Sequence, residues 1–127
     1  MTHGAMNKKI LVVDDEQGYL DLYRYMMEPM GIEVVCVKNG QEAVEKVTEK
    51  LFDLILMDVH MPVMTGPEAY RRIRQIRPGQ KVVIFSSSSD VTHSQEDEML
   101  KEGVLTCLYK PVAMEDIEKI LEQNMTS

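Results

Sequence analysis

The chain has 127 residues and a net charge of -7, a size that holds one domain around one substantial core. The acidic balance argues against a surface for direct contact with nucleic acid or anionic membrane, which needs clustered positive charge. No apolar run approaches the ~20 residues of a membrane span, and the N-terminus lacks an apolar signal core, so a cytoplasmic protein is expected.

Residues 1–7 carry no periodicity and read as a flexible leader, with 8–124 as the domain and 125–127 as a short tail. Lys8 to Val13 is a first buried strand that runs into Asp14, Asp15 and Glu16. Gln17 to Met30 follows as a helix, since Tyr19, Leu22, Tyr23, Met26, Met27 and Met30 recur at helical spacing on one face. Ile32 to Val37 is a second strand, turned by Asn39-Gly40 into a helix over Gln41 to Lys50 with Ala43, Val44 and Val47 inward.

The third strand, Asp53 to Met57, has four apolar residues in a row, Leu54 to Met57, as in a parallel strand covered on both faces, and ends in Asp58. A loop leads to Thr65, which with Pro67 and Glu68 forms the start of a third helix that runs to about Ile76, with Ala69, Tyr70, Ile73 and Ile76 inward. Lys81 to Phe85 is the fourth strand and ends in the serine run Ser86 to Ser89. Ser94 to Glu102 reads as a weaker helix anchored by Met99 and Leu100, with Glu96, Asp97 and Glu98 on its outer side. Leu105 to Tyr109 is the fifth strand, ending at Lys110-Pro111, and Met114 to Gln123 is the last helix, with Met114, Ile117, Ile120 and Leu121 on one face. Cys36 and Cys107 lie in strand-like runs at a spacing that fits no zinc motif, so free thiols are expected.

Five strands alternating with five helices predict a three-layer α/β sandwich on a parallel sheet, of the flavodoxin-like strand order 2-1-3-4-5. That order sets the ends of the first and third strands side by side, bringing Asp14, Asp15 and Asp58 into one crevice with Ser86 and Lys110 at the neighbouring strand ends. Each residue alone has an ordinary reading: Asp14-Asp15 as a solvated strand end, Asp58 as a turn former, His60 as a loop histidine, Lys110 as a surface lysine. Together, three carboxylates repel, so that either one stays protonated or a cation fills the gap. Hard oxygen ligands with open water positions suit Mg2+, and a lysine with a hydroxyl suits a phosphoryl group.

The chain resembles the receiver domain of two-component response regulators. The resemblance is carried by VVDDE at Val12–Glu16, LMDVHMPVMTG at Leu56–Gly66, the hydroxyl of Ser86, and Lys110-Pro111, each at a predicted strand end. It implies that Asp58 is the phosphoacceptor, loaded by a histidine kinase or a histidine phosphotransfer protein. Asp14, Asp15 and Asp58 with the His60 backbone carbonyl would hold Mg2+, or alternatively Mn2+. Lys110 would pair with the phosphoryl oxygens, Ser86 would swing toward them, and the small Ser87 would admit the group. A cis Lys110-Pro111 bond is common in such domains. The downstream target, or an output domain, lies outside this chain, and a switch rather than a turnover enzyme is implied.

The chain departs from the pattern three residues before the lysine, where many receivers carry an aromatic and this chain has Cys107; Tyr109 falls on the same strand face. Cys107 and Tyr109 are therefore the expected switch face, with the fourth helix. Three other readings compete: a degenerate receiver that binds partners without phosphate, a flavin carrier, and a dehalogenase-type aspartyl phosphatase. The flavin carrier needs a hydroxyl- and glycine-rich loop where this chain has Asp14-Asp15-Glu16, and the phosphatase needs a second Asp where this chain has His60.

Overall fold

The structure, a computed structural model, describes residues 7–87 and 94–125. Its elements are β1 (Lys9–Val13), α1 (Gln17–Met27), β2 (Glu33–Val37), α2 (Gly40–Glu49), β3 (Leu54–Asp58), α3 (Gly66–Ile76), β4 (Val82–Ser87), α4 (Ser94–Glu102), β5 (Thr106–Lys110) and α5 (Met114–Met125). The five strands form one parallel sheet in the order β2-β1-β3-β4-β5. Residues 88–93, Ser88 and Ser89 among them, lie outside the described residues, as do residues 1–6 of the expected leader and residues 126–127.

Alternation along the central strands builds two cores. Leu11 and Val13 of β1 and Ile55 and Met57 of β3 face one side, packed by Ala43 and Val47 of α2, Ala69 and Ile73 of α3 and Met99 of α4. Ile10, Val12, Leu54 and Leu56 face the other, against Leu20, Tyr23 and Met27 of α1 and Ile117, Ile120 and Leu121 of α5. With both faces buried, β1 and β3 have no solvated side, which is why they read as unbroken apolar runs.

Several sequence expectations change. The first helix ends at Met27, and Glu28–Met30 forms a single 3-10 turn closed by Gly31 at φ 82, because Pro29 has no N–H to donate to an α-helical ladder. In α4, Leu100 is 40% exposed whereas Glu96 is 2% exposed. Fully buried Met99 sets the inward face, and Glu96, three residues before it, shares that face while Leu100 rotates off it. Met114, expected inward, is also exposed, being the first residue of α5; Met125, assigned to the tail, is buried one turn beyond Leu121.

Candidate functional site

Register places the site residues. Val13 of β1 pairs with Met57 of β3, so the residues that follow them, Asp14 and Asp58, stand side by side where the strand order reverses. Asp58 pairs with Phe85 and Ser87 pairs with Lys110, which brings Ser86 and Lys110 to the same end of the sheet. The loop after β3 is fixed by Gly66, whose N–H donates to the Val59 carbonyl at 3.0 Å. A Cβ on Gly66 would lie 2.8 Å from that carbonyl oxygen, so the close approach requires glycine. Thr65 caps α3 by accepting from the Glu68 N–H at 3.3 Å.

The Lys110 ammonium is the centre of the cluster. It lies 2.9 Å from Asp14 Oδ2, 3.4 Å from Asp58 Oδ2 and 3.6 Å from Glu16 Oε1, and 4.0 Å from the centre of the Tyr19 ring, a cation–π distance. The Lys110-Pro111 bond is cis. Asp14 also accepts the Glu16 N–H at 2.9 Å, and Asp58 accepts the His60 N–H at 3.3 Å.

Asp14 is 1% exposed and Asp58 is 6% exposed. Burial pushes the Asp58 carboxyl up to about 6; Lys110 opposes the rise and Asp14 adds to it. Burial likewise raises Asp14, against the Glu16 N–H and Lys110. Burial by itself would lower Lys110, but the hydrogen bond to Asp14 and the charge of Asp58 outweigh it and leave its pKa raised. One ammonium thus faces several carboxylates, two of them costly to ionise. Oxygens of Asp14, Asp15 and Glu16 all lie within 4.8 Å of one another. An all-oxygen, anionic and undercompensated set of this kind fits a hard divalent cation such as Mg2+.

Ser86 is fully buried and donates its hydroxyl to Glu96 Oε2 at 2.5 Å, with the Ser87 carbonyl 3.4 Å away. His60 Nε2 lies 3.9 Å from the same Glu96 oxygen. Ser87 is exposed at the end of β4. Cys107 and Tyr109 interact through their side chains on β5; burial pushes the Cys107 thiol up to about 11, and Tyr109 is exposed. Both cysteines are free. Beside Lys110, an open groove of about 260 Å³ runs between Tyr19 and Leu22 of α1 and Pro111 and Val112.

Three participants were not expected from sequence. Glu16 joins the acidic cluster, a place its position directly after Asp15 could have suggested. Tyr19 read only as core. Glu96 read as solvent-facing, and its spacing of three from Met99 was the available signal.

The sequence profile of the response regulator receiver domain matches residues 10–122. The chain belongs to this family. The receiver is 34% identical to the transcriptional regulatory protein ZraR of Escherichia coli over 123 residues, 97% of this chain and 27% of that protein. It therefore spans about a quarter of that relative's length. It is 31% identical to sporulation initiation phosphotransferase F of Bacillus subtilis over 118 residues, 93% of this chain and 94% of that one. Among solved structures it is similar to the receiver domain of the sensor histidine kinase PA1611 from Pseudomonas aeruginosa, with 28% identity and a TM-score of 0.79 over 94% of this chain and 98% of that one. That structure has a magnesium ion coordinated in its active-site cleft.

Proposed function

We propose that this receiver is a phosphorylation-operated switch in which Asp58 takes a phosphoryl group from a phosphohistidine. The observation that carries the reading is the buried Asp58 carboxylate, aimed from the end of β3 at the Lys110 ammonium 3.4 Å away. In the transfer an Asp58 oxygen attacks phosphorus in line, the P–N bond to the donor imidazole breaks, and its electron pair returns to the imidazole nitrogen. Asp14, Asp15 and Asp58, with the His60 carbonyl, would hold Mg2+, which supplies neutralising charge for the phosphoryl oxygens. Lys110 sits ready to pair with those oxygens. Ser86 offers its hydroxyl to the product, and Ser87 leaves room beside it.

The donor is a histidine kinase or a phosphotransfer protein, and we propose that it docks along the groove beside Lys110, since the phosphohistidine must reach Asp58 at the same end of the sheet. Output passes through the α4 and β5 face that carries Cys107 and Tyr109 to a protein target or an output domain. No nucleic-acid or membrane contact is proposed, in keeping with the charge of -7 and with the fact that no helix among the described residues is long and apolar enough to cross a membrane. A cytoplasmic location and a switch rather than a turnover enzyme complete the reading.

Intact mass after incubation with acetyl phosphate tests it. We expect one added phosphoryl group on the wild type with Mg2+, and none without Mg2+ or on Asp58→Asn. Uptake by Asp58→Asn would overturn the assignment of the acceptor.

A further inference from the structure

Glu96 is the one described acidic residue of α4 that is buried, at 2% exposure, while Asp97 and Glu98 beside it face solvent. A buried carboxyl requires hydrogen-bonding partners, and among those of Glu96 is the hydroxyl of Ser86 at 2.5 Å. A serine hydroxyl has one proton to donate. While that proton is directed at Glu96 it is withheld from any group on Asp58. The far end of α4 is held separately. Arg71 pairs with Glu98 and Glu102, Arg74 donates to the Glu102 carbonyl, and the Tyr70 hydroxyl donates to the same carbonyl at 3.4 Å.

We propose that Glu96 is a positioning residue that competes with the phosphoryl group for the Ser86 hydroxyl, so that phosphorylation releases the first turn of α4 while its last turn stays clamped to α3. The proposal rests on Asp58 being the acceptor. In the resting state the hydroxyl donates to Glu96. In the phosphorylated state it donates to a phosphoryl oxygen, Glu96 loses that one donor, and the helix start loosens. The strength of the Glu96 acceptor thereby sets how readily the switched state forms.

The test is a double-mutant cycle on Glu96→Gln and Ser86→Ala, reading the affinity of the full chain for beryllofluoride with Mg2+, a mimic of the acyl phosphate. Gln keeps the length and replaces the carboxyl by a weaker amide acceptor, a weakening worth about tenfold. We expect Glu96→Gln to tighten beryllofluoride binding about tenfold when Ser86 is present and less than twofold in the Ser86→Ala background. No change with Ser86 present, or an equal change in both backgrounds, would overturn the positioning role while leaving Asp58 as acceptor. Beryllofluoride bound by none of the four proteins, with no phosphoryl uptake from acetyl phosphate, would overturn the acceptor reading and this proposal with it. Hydrogen exchange on the wild type is independent of how the variants fold. Phosphorylation should speed amide exchange at the start of α4 and leave Ile73 to Ile76 of α3 unchanged. Unchanged exchange across the start of α4 would overturn the release.

Discussion

At the scale of single residues, the site holds Asp14, Asp58 and Lys110 where burial makes each charge alone unfavourable. Asp58 illustrates the sign. Its pKa in the fold, about 6, exceeds the value of 3.8 expected when exposed, so the folded state binds more protons than the unfolded state between those values. Stability then falls as pH rises from about 4 to about 6, and the cost persists at neutral pH. Asp58→Asn should therefore be more stable than the wild type above about pH 6, on the order of 1–3 kcal/mol, and the advantage should vanish below about pH 4. Urea denaturation of both proteins across that range measures it. Lys110→Ala has the opposite effect. It leaves Asp14 and Asp58 buried without their ammonium and should cost about 3 kcal/mol or more at neutral pH. Mg2+ binding should remain, while phosphorylation no longer alters the β5 face, as amide chemical shifts of Thr106 to Tyr109 would record.

At the scale of elements, the start of α3 holds the acceptor loop in place. Thr65 caps the helix and Gly66 packs against the Val59 backbone. Thr65→Ala should cost about 1 kcal/mol in urea unfolding, without effect on phosphoryl uptake. Gly66→Ala should cost about 1–3 kcal/mol, because its Cβ meets a backbone oxygen that no rotamer change can move, and should slow uptake by displacing the loop that leads away from Asp58. These features were legible in the sequence because caps, prolines and glycines act locally. So were β1, β3 and β4, whose apolar runs depend only on being covered on both faces. The limits of α4 were legible but its inward face was not. With one buried apolar side chain, Met99, the helix has no stripe to read, and the burial of Glu96 depends on a hydroxyl ten residues earlier in the chain. The same distance effect hid Tyr19, whose ring meets Lys110 only after the sheet has formed. Cys107 and Tyr109 were placed on one strand face by alternation alone, and their side chains do interact.

At the scale of the whole molecule, strand order does most of the work, since it turns residues scattered from Asp14 to Lys110 into one crevice. Mg2+ that binds only the assembled crevice must stabilise the fold, by about 2.7 kcal/mol at a hundred times its Kd. A rise in the thermal midpoint of the wild type with added Mg2+, reduced in an Asp15→Ala variant, would be the expected result. The two cores on either side of the sheet carry one more consequence. The groove beside Lys110 is built on α1, packed into one core, whereas α4 belongs to the other. On the proposed reading, donor docking and response would lie on opposite sides of a wall one strand thick. Changes that retune one side would then need no repair on the other, and a lineage of such proteins would be free to exchange donors while keeping its output, or to exchange outputs while keeping its donor.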